Sequence, residues 1–232
     1  MRENLYSDME KESLLKRYLI FIVGLYFLAL GITLIVHSTL GTTPISSMNY
    51  VLSINTSFSL GTWTFVVNLI MILIQLWLTQ GRYGTRKDTI EILLQIPFSF
   101  IFSAFIDLNM WFIQNLVPAN YGMAMGILLV GCLIQSVGVV LEIKPRVAMM
   151  SAEGLVKYIA RRCHKDFGNI KVYVDVSLVC MAVLISLAFT MRIEGVREGS
   201  VIAACITGYI VKFLNYHVMT RKMLYRLIPV RH

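Results

Sequence analysis

The chain has 232 residues, of which 57% are hydrophobic and 15% charged, with a formal net charge of +8. A soluble domain carries about 45–50% apolar and about 25% charged residues, and one of this size leaves much of its surface in water. The apolar excess therefore excludes an ordinary soluble globule, and the positive residues, set at the ends of apolar stretches, argue against nucleic acid as a partner.

In chain order, residues 1–17 mix acids and bases and precede an apolar run without a small-residue cleavage site. They read as a retained cytoplasmic segment ahead of a signal anchor. A bilayer core needs about 20 apolar residues of helix. Six stretches come close: 18–36, 62–78, 90–106, 121–141, 172–190 and 200–217. The third holds Glu91, Gln95 and Pro97, which a membrane helix tolerates when its neighbours satisfy the polar groups. The connections 37–61 and 142–171 are too long to be turns. Pro44 suits the first turn of a short helix over 44–53. Ser151-Ala152-Glu153 suits the start of another, ending near Arg162. Its Leu155 and Ile159 oppose Lys157, Arg161 and Arg162, so it is expected to lie at the cytoplasmic surface. Residues 218–232 form a basic tail.

Lysine and arginine outside the six stretches number four in 1–17, three in 79–89, seven in 142–171 and four in 218–232. Against these stand none in 37–61, none in 107–120 and two in 191–199. Positive residues stay on the cytoplasmic side, so both termini are expected inside. Omitting the third stretch would destroy this alternation.

Shifting the sequence by 107 residues lays Gly24 on Gly131, Gly31 on Gly138, Gly61 on Gly168 and the 37–61 connection on the 142–171 connection. Each copy has three crossings, an odd number, so the second enters the membrane upside down. The expected fold is an all-α membrane protein of six transmembrane helices. Two inverted three-helix repeats, 18–116 and 117–217, each carry an extra short interrupted or interfacial helix. Many secondary transporters are built this way.

"LALGITLIVHSTLGTTPISSMNYVLS" with "FSLGTWTFVVNLIMIL" resembles the first half of the bacterial YczE/YyaS/YitT-type membrane proteins. "VGVVLEIKPRVAMMSAEGLVKYIARR" with "EGVREGSVIAACITGYIVKFL" resembles their second half. The resemblance covers about residues 17–216 and implies a multi-pass bacterial plasma-membrane protein without implying a substrate. Where such proteins carry Pro-Trp-Asp, this chain has Pro44-Ile45-Ser46. Where they often carry Gly-Pro-Arg-Asp-Gly, it has Met149-Met150-Ser151-Ala152-Glu153-Gly154. Glu153 keeps an acid at the second place and Ser46 does not keep one at the first.

Polar groups inside a span are costly and mark interiors or cavities. Asp175 and its repeat mate Asn68 are the first candidates for a solute or coupling-ion site, against plain helix-to-helix hydrogen bonding or an Asp175–Lys171 pair one turn apart. His37, Thr42, Thr43 and Ser46 surround the bend before Pro44. Arg146, Ser151 and Glu153 surround the equivalent bend in the second copy. Helix N-termini favour anions, which leans toward an anionic or zwitterionic solute. Gly122 and Gly126 form a G-x-x-x-G that suits close helix packing, including that of a homodimer. No hydrolase, zincin or nucleotide-loop signature occurs. The four histidines and four cysteines show no metal or redox spacing, so no enzyme activity, cofactor or metal is expected. The sequence thus points to a small secondary transporter or permease for a small polar solute. The alternative is a non-transporting membrane scaffold or regulator whose basic helix, Ser151–Arg162, engages anionic lipid or a protein.

Overall fold

A computed structural model describes the backbone of residues 2–80, 84–145, 147–191, 195 and 197–214, with side chains from residue 14 onward within those ranges. Among the described residues all regular structure is helical: α1 (Arg2–His37), α2 (Pro44–Asn55), α3 (Leu60–Leu78), α4 (Arg86–Phe112), α5 (Tyr121–Ile143), α6 (Ser151–Cys163), α7 (Phe167–Thr190) and α8 (Glu198–Phe213). Five helices are long and apolar enough to cross a membrane: Leu14–His37 of α1, α3, α4, α5 and α7. The sixth expected stretch falls on α8, which is shorter at 16 residues; the last residues of that stretch lie outside those described.

Local chemistry sets the helix starts. Ser59 accepts the Thr62 N–H at 3.0 Å and opens α3. Asn120 accepts the Met123 N–H at 2.8 Å and opens α5. Thr85 and Asp88 form a reciprocal capping box at α4, two orphan donors being satisfied at once. That box starts α4 earlier than the apolar run suggests. The helix also continues beyond residue 106, because the Asp107 carboxylate accepts the Gly61 N–H at 2.8 Å and the Ser59 hydroxyl at 2.7 Å. Pro97 sits inside α4 without ending it.

Helices α1 and α5 pack antiparallel through glycines. A Cβ at Gly31 would lie 2.5 Å from the backbone of Gln135, and one at Gly138 would lie 2.3 Å from that of Leu28. Gly24 meets Leu141 and Glu142, and Gly131 meets Ile35. Only glycine allows backbones this close. A shift of 107 residues exchanges these contacts: Gly24–Glu142 becomes Gly131–Ile35, and Gly31–Gln135 becomes Gly138–Leu28. The G-x-x-x-G of the sequence does not pack in this way. A Cβ added at Gly126 would meet nothing within 4 Å, and one at Gly122 would meet only the Asn120 side chain, because both lie before α5 reaches α1.

The remaining packing also comes in matched pairs. Helix α1 packs on α4 as α5 packs on α8, and α2 packs on α7 and α3 as α6 packs on α3 and α7. The match fails at one place: α3 packs closely on α4, and α7 and α8 share no packing of that extent among the described residues. Gly61 is clamped against Ser103 and Asp107, whereas its counterpart Gly168 meets nothing.

The placement of α6 departs from the surface helix that its charge pattern suggests. It runs parallel to α3, with Ser151 beside Asn68 and Arg162 bonded to the Leu78 carbonyl at 3.4 Å. Asn68 is ten residues from Leu78, about 15 Å along a helix. The N-terminus of α6 therefore lies deep in the bundle. Gly154 allows the approach, since a Cβ there would strike Gln75 and Gln95. Leu155, Val156 and Tyr158 are buried. The charged face finds carboxylates on α4: Lys157 pairs with Glu91 at 2.9 Å and Arg161 with Asp88 at 3.2 Å. Glu91, one of the polar groups of the third apolar stretch, is thus used by α6.

Candidate functional site

The candidate residues fall at two ends of the molecule, because α1 and α5 are antiparallel and α2 and α6 follow their opposite ends. At the α2 end every candidate is held by a neighbour. The His37 Nδ1 hydrogen is donated to the Thr33 carbonyl at 3.0 Å. Thr42 donates its N–H to the Ser200 hydroxyl at 3.0 Å and its own hydroxyl to the Gly195 carbonyl at 3.0 Å. Thr43 donates to the Ser46 hydroxyl at 3.1 Å. Thr42, Thr43 and Ser46 are all buried. The polar groups of these candidates are spent on one another and on the start of α8, where Arg197 donates to the Thr39 carbonyl at 3.2 Å and pairs with Glu198.

At the α6 end a buried polar chain crosses from α3 to α4. Ser151 donates its hydroxyl to Asn68 Oδ1 at 2.7 Å. Gln75 and Gln95 exchange reciprocal amide bonds of 3.0 and 2.9 Å, and Gln75 also donates to the Ser151 carbonyl at 3.0 Å. The Asn68 Nδ2 group is buried without a partner. These bonds tie the start of α6 to two spans, which explains why Asn68, Gln75 and Gln95 are polar inside apolar helices.

Beside this chain lies a cavity of about 550 Å³. Helix α4 contributes Glu91, Leu94 and Gln95, the end of α5 contributes Glu142 and Ile143, and α6 contributes Glu153, Gly154, Lys157 and Tyr158. Val147, Ala148, Met149 and Phe167 complete an otherwise apolar wall. Glu142 is 5% exposed and accepts the Met150 N–H, next to the Glu153 carboxyl. Burial pushes the Glu153 carboxyl above its ordinary range. Lys171 opposes that rise and Asp175 adds to it. Tyr158 is pushed up to about 12, first by burial and then by the charges of Asp88 and Glu91, so it stays a hydroxyl donor to Asp88.

Asp175 and Asn68 do not face each other across a shared space. Asp175 accepts from Lys171 at 2.7 Å, one helical turn away. Val67, Met71, Ala152, Leu155 and Leu178 pack as an apolar cluster where α3, α6 and α7 meet. The structure does bring Asp175 within electrostatic reach of Glu153. Arg146 lies outside the described residues. Glu142 is the residue that sequence reasoning missed. The signal was available: the overlay of "GITLIV" on "GVVLEI" sets Glu142 on Ile35, so the copies differ by a charge within an otherwise uncharged stretch. Among the described residues no group of His, Cys, Asp and Glu could hold a metal ion.

Comparison with known proteins places these features in a family. Residues 15–216 match the family described as "Family of unknown function (DUF6198)". The chain is 28% identical over 104 residues to the Uncharacterized protein YyaS of Bacillus subtilis (strain 168), covering 45% of this chain and 48% of that protein. The match thus spans about half the length of that relative. No solved structure matches.

Proposed function

Because the chain belongs to the DUF6198 family of unknown function, we propose from its geometry that it is a small secondary transporter of the bacterial plasma membrane, open to water at the α6 end and shut at the α2 end. The reading takes the molecule as two inverted three-helix repeats with six crossings, α8 continuing as the sixth. Its support is the exchange of the α1–α5 glycine contacts by the 107-residue shift, and the matched packing of α2 and α6. Both short helices then act as broken elements that bring a helix N-terminus to mid-depth, as transporter sites often require. The charge distribution along the chain argues for the α6 end in the cytoplasm. The reading assigns no covalent chemistry.

The observation that carries it is the cavity of about 550 Å³ at the start of α6, lined by the buried Glu142 together with the half-buried Glu153. Ligand sites commonly have this volume and this mix of apolar wall and few polar groups. The carboxylates move the expected solute away from an anion. The test starts from metabolite comparison of a deletion strain, a complemented strain and a strain complemented with Glu142→Gln. Solutes that accumulate or vanish are then offered to vesicles containing the purified protein. Exchange of at least one of them, lost in the variant, is expected. If no solute differs and none moves, transport is refuted.

The second reading, a non-transporting scaffold, draws on the apolar cluster between Asn68 and Asp175, which leaves no polar route there. In that case Glu142 and Glu153 serve only to satisfy the N-terminus of α6, and every vesicle assay is blank.

A further inference from the structure

Resting on the transport reading but testable without it, we infer that the cavity at the start of α6 is a binding site for an organic cation with an apolar body, which exchanges with a proton held between Glu142 and Glu153. The wall supplies the apolar half of the argument. Leu94, Ile143, Val147, Ala148, Met149 and Phe167 face a space of about 550 Å³, and apolar surface of this kind binds apolar surface. The polar half is acidic: three carboxylates and one ammonium line the space among the described residues.

The cation Lys157 is already paired with Glu91 at 2.9 Å, and Lys171, facing Glu153 from α7, is paired with Asp175 at 2.7 Å. Lys144 stands at the C-terminal cap of α5. Glu142, the more buried of the two acids, has as described contacts a backbone N–H and the like-charged Glu153. Two neighbouring carboxyls screened from water do not both ionise without a countercharge, and they titrate as a pair. The empty site therefore keeps a proton. A cation entering the cavity replaces it, and the proton leaves to solvent. The α6 N-terminus, which favours negative charge, keeps the ionised pair in place once the cation is bound.

The other copy of this arrangement has no such capacity, because Ile35 and Ser46 stand where Glu142 and Glu153 stand. The exchange site is therefore single.

The experiment measures binding of tetraphenylphosphonium to the purified full chain in detergent by equilibrium dialysis at several pH values, with tetraphenylborate as the matched anion. The expected result is saturable binding of the cation and none of the anion. Affinity should fall with falling pH, approaching tenfold per pH unit for one displaced proton. Glu142→Gln and Glu153→Gln should each weaken binding at least about tenfold and flatten the pH dependence. Thermal unfolding and gel filtration confirm that each variant is folded, and if Glu142→Gln does not fold, Glu153→Gln decides. Absence of saturable binding by folded protein, binding that ignores pH, or binding unchanged in the folded variants overturns the proposal. Binding without solute exchange in vesicles would refute transport and leave this site standing. Solute exchange without tetraphenylphosphonium binding would do the reverse.

Discussion

At the start of α2, Thr42, Thr43 and Ser46 bond to one another and to Gly195 and Ser200, and the charges nearby, Arg197 and Glu198, pair with each other. At the start of α6, 107 residues later, Glu142 and Glu153 border a cavity and the polar groups around them reach into α3, α4 and α7. The two helices follow equivalent bends and pack on equivalent neighbours. Among the side chains that differ, two change the charge beside the bend, Ile35 against Glu142 and Ser46 against Glu153. Matched packing of the two short helices is thus combined with a pair of carboxyls beside only one of them. The asymmetry extends to the outer helices, where α4 is clamped to α3 through Asp107 and Gly61 while α7 is the least covered of the five long apolar helices.

The strongest way to break the comparison is to move the charge. Ile35→Glu would place a carboxylate at a fully buried position against Gly131, within an apolar cluster. Leaving a buried charge uncompensated costs on the order of 3–5 kcal/mol. The expected outcome is loss of the folded monomer in gel filtration, while the reciprocal Glu142→Ile folds. An Ile35→Glu protein as stable as the parent would show that the two ends are interchangeable.

Thiol labelling sharpens the contrast between open and shut ends. In a background without the native cysteines, Met149→Cys lies on the cavity wall and Ser46→Cys lies in the closed cluster. Labelling of the first by a water-soluble maleimide in detergent should be at least about tenfold faster, because the second requires local opening. Equal rates would remove the distinction.

The smallest effect is on stability against pH. Burial raises Glu153 above its reference value of 4.5. Its contribution to stability is then complete below about that value and is lost as pH rises through the raised one. The unfolding temperature of the purified protein should decline by a few degrees between mildly acidic and mildly alkaline pH, and Glu153→Gln should flatten that decline. An identical decline in the variant would assign it to another group.

Much of the fold was legible because membrane helices announce themselves through length and apolarity, and five of the six expected stretches coincide with long apolar helices. Pro44 marked the start of α2, Ser151 marked the start of α6, and the 107-residue register marked the glycines that join α1 to α5. The site was legible in fragments. Glu153 and Ser151 were identified by their place before a helix, and Asn68 by its polarity within a span. Asp175 is paired with Lys171, one of the three expectations for it.

The sequence by itself determined that the chain is too apolar for an ordinary soluble domain, where the long apolar helices run and which glycines recur, since these depend on composition and spacing along one chain. Only the tertiary structure decided that α6 enters the bundle, that Gln75 meets Gln95, and that Glu142 comes to stand beside Glu153. An amphipathic pattern fixes which face of a helix is polar, but water and a neighbouring helix's carboxylates satisfy that face equally well. The choice between them depends on contacts between residues far apart in the chain.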